Sequence, residues 1–180
     1  MAENETLNVK EVMPLLGYSK YKYDLPVKLQ KYIFLSSSAH TGSFKHALDI
    51  SVPHPDTEKT VVYAPISGIV DYVVMNNIEC GPTDDFKDKL NYVNIRVGEG
   101  ERPEFVEMGH LDPYINEKGE KLVLKVGDLV EVGQPIAVVG LNGWIENNNQ
   151  GKPDPHVHIM VGQWNHKDRK SFKSLKIRWR

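Results

Sequence analysis

The chain has 180 residues, of which 40% are hydrophobic and 26% are charged, and its formal net charge is -2 at pH 7. This length and balance are typical of one soluble globular domain with a sizeable core, and so small a charge does not indicate a nucleic-acid partner. The single cysteine, Cys80, excludes an intrachain disulfide and a cysteine-rich zinc site.

Residues 1–28 form a polar and aromatic lead-in. The segment Met1–Glu5 is acidic and polar, the reverse of a signal peptide, so a cytoplasmic location is expected by default unless a leader has been removed. No stretch approaches the roughly 18 apolar residues of a membrane span. Val9–Leu16 has the composition of a short helix broken at Pro14. Three tyrosines are expected to pack this lead-in onto the body, where it could act as a pro-segment: Tyr18, Tyr21 and Tyr23.

From residue 29 to residue 165 the sequence alternates short β-branched runs with Gly, Pro and Asn. Turn signals such as Asn142-Gly143 supply the positive φ that tight connections need. This pattern of short β-branched runs and turn residues predicts one mainly β domain, an antiparallel sheet, sandwich or barrel. The predicted strands are Tyr32–Leu35, Ala47–Val52, Thr60–Tyr63, Gly68–Val74, Tyr92–Val97, Phe105–Met108, Leu122–Lys125, Pro135–Val139 and His156–Val161.

Residues 166–180 form a basic C-terminal tail rich in lysine and arginine. Such a run could hold a polyanion, but it is more often a solvated face. The sequence therefore predicts an exposed tail here and no nucleic-acid partner.

The first histidine unit in chain order joins His40 to Asp49 through a Thr-Gly-Ser turn. Strand alternation places Asp49 on a polar face, opposite Leu48. If the strand already runs at residue 46, His46 points away from Asp49, whereas the turn can fold His40 back toward the carboxylate. The pattern therefore favours His40 as the partner of Asp49, with His46 as the alternative.

The other histidine units are His110, at the end of a strand-like run, and the pair His156 and His158. Alternation puts both members of the pair on one strand face, about 7 Å apart at Cα. Taken singly, each unit is more often a surface or structural histidine. Together they supply two histidines and one aspartate as ligands plus two further imidazoles, which is the composition of a zinc hydrolase site.

The ordered set of motifs resembles the lysostaphin-type (LytM-like) zinc endopeptidases of the duplicated hybrid motif superfamily. A His/Asp segment over 40–53 is followed by a Val-x-Ala-like stretch over 62–70. Next come Gly109-His110-Leu111 and a Gly-Asp/Gly-Gln run over 126–136. The last motif is Pro155-His156-Val157-His158. The resemblance covers about residues 40–162.

The resemblance implies a zinc ion held by His40, Asp49 and His158, with His110 and His156 as catalytic histidines. It implies hydrolysis of peptide bonds, in this family often in cross-bridges or stem peptides of peptidoglycan. The sequence departs from the family pattern mainly outside these five positions, with Met108 and His46 where tyrosine is usual, Ile50 and Ile159 in place of phenylalanine, and a polar 147–154 approach to the His-x-His unit.

Two alternatives belong to other functional classes. A peptidase-like barrel could serve as a non-catalytic binding module. A phosphocarrier or a lipoyl or biotinyl carrier shares related β motifs, but this chain has no Met-Lys-Met or Asp-Lys-Ala site for modification. Asp49 also argues against a phosphocarrier, which needs two facing histidines and no aspartate ligand. The oligomeric state does not follow from the sequence.

Overall fold

The structure is a computed structural model that describes residues 17–28, 34–36, 40–52, 60–147, 151–164 and 172–180. These residues form a mainly β, antiparallel architecture, which confirms the predicted fold class. The strands are β1 Phe34–Ser36, β2 Leu48–Ser51, β3 Val61–Tyr63, β4 Gly68–Val74, β5 Cys80–Gly81, β6 Tyr92–Val97, β7 Glu104–Gly109, β8 Leu111–Asp112, β9 Leu129–Val130, β10 Pro135–Val139, β11 Gly143–Trp144, β12 His156–Trp164 and β13 Phe172–Leu175. Two 3-10 helices, Gly42–Phe44 and Asp84–Lys89, lie between strands. Neither helix is long or apolar enough to cross a membrane.

The largest sheet has the strand order β1-β2-β12-β7-β6-β4-β9. The long strand β12 pairs β2 through its first half and β13 through its second half. A second sheet, β3-β10-β8, supplies further core residues, and β5 pairs β11 in parallel.

The two faces of the large sheet have opposite chemistry because side chains alternate along each strand. On β12, Val157, Ile159 and Val161 are fully buried in the core. His156 and His158, which alternate with these residues along the strand, therefore project from the other face, as the sequence predicts.

Strand register aligns residues of this polar face in rows. Asp49 on β2 lies opposite His158 on β12, which lies opposite Gly109 on β7. Gly109 in turn lies opposite Tyr92 on β6. At Gly109, which has no side chain, the side chains of Leu90 and His158 approach to within contact distance of the place where a Cβ would lie.

Segments 17–28 and 172–180 run side by side against the body, joined by the bridges Tyr18–Lys176 and Tyr23–Trp179. The buried carboxylate of Glu104 accepts hydrogen bonds from Ser19 Oγ (2.5 Å), the Lys20 backbone N–H (2.7 Å) and Tyr23 Oη (3.0 Å). Burial, followed by the charge of Glu104, raises the pKa of Tyr23 well above its usual range. The short helix predicted for Val9–Leu16 lies outside the described residues.

Two predictions about the chain need correction. Leu122–Lys125 is not a strand: Leu122 and Leu124 are half-buried, but Val123 is 61% exposed, and no strand among the described residues pairs with this segment. The apolar alternation there reflects a loop that packs one side against the body. The basic 166–180 segment is not an exposed tail throughout, because β13 pairs β12 and buries Ser174 and Leu175.

Candidate metal centre

Three side chains that the sequence singles out converge on one point of the polar face. Asp49 Oδ1 lies 3.0 Å from His158 Nδ1 and 3.5 Å from His40 Nε2. Each of the three residues offers one ligand atom, and these atoms all lie within 4.8 Å of one another. His40, Asp49 and His158 can therefore hold a metal ion.

The spacing of these atoms can be compared with the coordination polyhedron of zinc. Bonds of roughly 2.0–2.1 Å in a tetrahedron place neighbouring ligand atoms about 3.4 Å apart. The two distances from Asp49 Oδ1, 3.0 and 3.5 Å, bracket that value. A donor set of two imidazoles and one carboxylate at this spacing fits a metal site of the zinc type.

The chain reaches this geometry through the turn that follows His40. The 3-10 helix Gly42–Phe44 begins two residues later, and β2 begins only at Leu48. His40 thereby returns toward Asp49. His46 lies elsewhere, beside Lys45 and Lys176, whose charges, after burial, lower its pKa. The structure thus brings His40 and not His46 to the carboxylate.

Two further histidines stand beside the three. The rings of His110 and His156 contact each other edge to face, with centroids 4.4 Å apart. His156 Nε2 lies 3.8 Å from Asp49 Oδ1. All five residues selected from the sequence therefore meet on one patch of the sheet.

Backbone carbonyls fix the tautomers of these two histidines. His110 Nδ1 donates to the Asn142 carbonyl and His156 Nδ1 donates to the Asp154 carbonyl, each at 2.7 Å. A neutral imidazole that donates through Nδ1 has its lone pair on Nε2. Both rings therefore present Nε2 as a proton acceptor.

Burial and local charge tune the ionisable groups of the patch. Burial alone would raise the pKa of Asp49, but the hydrogen bond from His158 and the nearby His156 hold that pKa below its usual range. Burial, with a smaller contribution from His156, lowers the pKa of His110 to about 3. Burial also lowers the pKa of His40 against the attraction of Asp49. The Asp49 carboxylate is thus held ionised, and burial favours the neutral form of His40 and of His110.

His110 has an unusual backbone conformation, with a φ of 59°. Left-handed backbone is rare outside glycine and is over-represented at functional sites when the surrounding structure holds it. Asn142 is the support: besides accepting from His110, it is fully buried and accepts from the Asn91 N–H at 2.8 Å. Its amide group donates to the Leu111 carbonyl at 3.0 Å.

Asn142 was missed by sequence reasoning, which read Asn142-Gly143 only as a turn. A groove beside the metal centre was missed as well. Its lining residues are far apart in sequence and include Tyr72, Tyr92, Asn94 and Glu107, around a cavity of about 810 Å³. Burial, against the nearby His158 and Asn94, raises the pKa of Glu107. No short motif signals such a set.

Comparison with known proteins supports the fold. The structure is similar to that of a proposed glycyl-glycine endopeptidase, LytM, from Ruminococcus gnavus, with a TM-score of 0.53 and 16% sequence identity. The similarity covers 88% of this chain and 56% of that protein, so this chain matches little more than half of its length. No protein-family model and no curated protein sequence matches the chain. At this identity the likeness shows a shared LytM-like fold.

Proposed function

We propose that this protein is a zinc-dependent endopeptidase that hydrolyses peptide bonds, with cross-bridges or stem peptides of peptidoglycan as the substrate class that its sequence resemblance suggests. The observation that supports the proposal is the convergence of five residues on one sheet face, two of them histidines whose Nε2 can accept a proton. A LytM-like fold is consistent with this activity.

His40, Asp49 and His158 would hold the ion. When bound there, zinc would act as a Lewis acid that promotes ionisation of water and polarises a carbonyl group at neutral pH. The Asp49 carboxylate and two neutral imidazoles give a net charge of about +1 to the loaded site, which favours developing negative charge in the transition state. His158 Nδ1 now donates to Asp49 Oδ1, so ion binding at that nitrogen would require the proton to move to Nε2 or to leave the ring.

His110 and His156 would move the protons. With Nδ1 of each ring held by a backbone carbonyl, Nε2 of one imidazole can accept a proton from the attacking water. The same proton can then pass to the departing amine. The second imidazole, a ring contact away, would steady the charge that develops on the carbonyl oxygen in its protonated form, in which Nε2 carries a hydrogen and donates. Either order of the two roles is compatible with this geometry.

Cleavage of a defined peptide panel tests the proposal. Zinc-loaded protein is incubated with glycine-rich peptides and with cell-wall stem and cross-bridge peptides, and products are identified by mass spectrometry. Wild type and the exposed-site control Asp88→Asn should cleave the same bond at the same rate. Asp49→Asn and chelator-treated protein should not cleave. Tight zinc binding without cleavage of any peptide would contradict the proposal and favour a non-catalytic binding module.

A further inference from the structure

The groove that adjoins the metal centre has a second row of aligned residues. Met160 on β12 lies opposite Glu107 on β7, which lies opposite Asn94 on β6. Asn94 lies opposite Tyr72 on β4. This row is displaced from the metal-ligand row by one same-face step, roughly 7 Å along the strands. A peptide whose bond is cleaved at the metal centre would place a neighbouring residue over this second row.

The floor of the second row is rich in hydrogen-bond acceptors. Asn94 is 5% exposed, and its Oδ1 is buried without a hydrogen-bond partner. Burial raises the pKa of Glu107, but the hydrogen bond from the Asn94 side chain lowers it, so this bond favours the carboxylate and the Asn94 amide nitrogen is the donor. Rotating the amide by 180° would break that bond, so Oδ1 would gain a partner only at its expense. The floor of the groove therefore holds an unsatisfied carbonyl oxygen beside a carboxylate.

Aromatic rings form one wall of the same space. Tyr72 and Tyr92 stack with centroids 5.6 Å apart and planes inclined by 14°. Tyr72 is 52% exposed, so part of this wall is accessible to a ligand. The face of a tyrosine ring attracts cations, and acceptors beneath such a ring complete the environment of an ammonium group.

Two arginines also line the groove, but at its other end. Arg96 Nε lies 3.7 Å from Asp71 Oδ1, which offsets its charge. Arg102 lies in the connection before β7, whereas the metal row crosses β7 at its last residue, Gly109. The part of the groove nearest the metal centre is thus lined by acceptors and rings, with the cationic side chains farther away.

We propose that Asn94, Glu107 and the Tyr72–Tyr92 pair form a specificity subsite for a primary ammonium group of the substrate. The source of that group is a lysine-like side chain or a free amino terminus next to the scissile bond. The role of this subsite in substrate specificity rests on the proposed endopeptidase function, whereas its binding of an ammonium group can be measured independently of cleavage. An ammonium group satisfies Asn94 Oδ1, pairs with Glu107 and contacts the tyrosine wall at once.

A binding measurement tests this without any cleavage. Nα-acetyl-lysine amide, its uncharged counterpart Nα-acetyl-norleucine amide, and alanine amide with a free amino terminus are titrated into the protein while NMR follows the Asn94 side-chain amide. At least one of the two ammonium compounds should bind about 10-fold or more tightly than the norleucine compound. Whichever of them binds identifies the source of the group.

Three variants sharpen the test. Glu107→Gln keeps the shape of the side chain and should remove the preference for the ammonium compound, since hydrogen bonds to charged groups lose about 10-fold or more when the charge is removed. Tyr72→Leu, at an exposed position, should weaken binding by about 2- to 5-fold. Glu117→Gln, on a distant exposed turn, is the matched control and should change nothing.

The outcomes separate this inference from the proposed function. Equal binding of charged and uncharged compounds by wild type overturns the subsite even if the protein cleaves peptides. Retention of the preference in Glu107→Gln also overturns it. Selective ammonium binding by a protein that cleaves nothing would leave the subsite in place and remove the endopeptidase proposal.

Discussion

Two carboxylates on neighbouring parts of the large sheet have opposite surroundings. Glu104, at the start of β7, is fully buried and accepts hydrogen bonds from a hydroxyl, a backbone N–H and a phenol. Asp49, on β2, has His158, His40 and His156 around one oxygen, and only the contact from His158 is a hydrogen bond. The neighbours of Glu104 donate hydrogen bonds to its carboxylate. The neighbours of Asp49 are instead placed so that they and Asp49 can bind one metal ion together.

The difference separates a structural carboxylate from a functional one. The partners of Glu104 come from the N-terminal segment, so the bonds join that segment to the body and lower the free energy of the folded state. The partners of Asp49 are imidazole nitrogens, and one ligand atom from each of His40, Asp49 and His158 lies within 4.8 Å of the others. Ligand atoms that converge in this way are typical of a site that binds a metal ion. Substitutions at the two places should therefore affect different properties.

The largest effect is expected from removal of a metal ligand. His158→Ala and His40→Ala each delete one of three ligands and should lower zinc affinity by more than about 10²-fold, above the usual effect of an outer-sphere change. Peptide hydrolysis should become undetectable. Competition with a chromogenic chelator measures the zinc affinity of each variant. His46→Ala is the matched control and should bind zinc like wild type; the reverse result would place the wrong histidine at the site.

The two remaining histidines should affect catalysis while sparing the metal. His110→Ala and His156→Ala should each lower the rate of hydrolysis by about 10²-fold, the usual contribution of a positioned acid–base group. Zinc content should stay near that of wild type because neither ring belongs to the three ligands. Steady-state kinetics and metal analysis on the same samples check this. Loss of zinc together with activity would mean that the roles are assigned wrongly.

At Glu104 the expected effect is on stability alone. Glu104→Ala leaves the Tyr23 phenol and the Lys20 backbone N–H without an acceptor and restricts the Ser19 hydroxyl to the Tyr21 carbonyl, so the free energy of unfolding should fall by about 2–3 kcal/mol. Urea denaturation of metal-free protein measures it. Asp49→Asn under the same conditions should cost less than about 1 kcal/mol, because asparagine keeps an acceptor for His158. Equal costs at the two positions would remove the distinction between them.

The last effect, which is absent at neutral pH, is a pH dependence of stability from His110. Its pKa is about 3 in the folded protein, against roughly 6.5 in an unfolded chain. Between these values only the unfolded chain binds the proton, so stability falls as pH drops below about 6.5, by at most about 1.4 kcal/mol per pH unit. His110→Asn tolerates the left-handed backbone and removes this proton. The free energy of unfolding is measured on metal-free protein from pH 7 to pH 4. The value for the variant relative to wild type should rise as the pH falls.

The sequence predicts those parts of the molecule that depend on local periodicity. Alternation along β12 gives the shared face of His156 and His158, and the turn after His40 explains why that residue approaches Asp49. The assigned roles of the five site residues remain predictions, since position alone does not show chemistry. The strand predicted at Leu122–Lys125 was wrong because a loop that packs one side on the body shows the same alternation of apolar residues as a strand.

The parts that the sequence did not reveal depend on cross-strand register and on loop contacts. Glu104 meets Ser19 across 85 residues, and nothing near either position signals the contact. Asn94 and Glu107 become neighbours only because β6 pairs β7 in one register. Asn142 reads as a turn residue, and its support of His110 appears only once the loops are folded. Such long-range pairs are set by the fold as a whole and not by a short motif.

Whether His40, Asp49 and His158 hold one metal ion can be measured in crystals of the full chain grown with zinc, with diffraction data collected on both sides of the zinc absorption edge. One strong anomalous peak is expected within about 2.0–2.2 Å of one ligand atom from each of these three residues. A peak at another group of residues, or no peak at this cluster in zinc-saturated crystals, would show that these residues do not form the metal site.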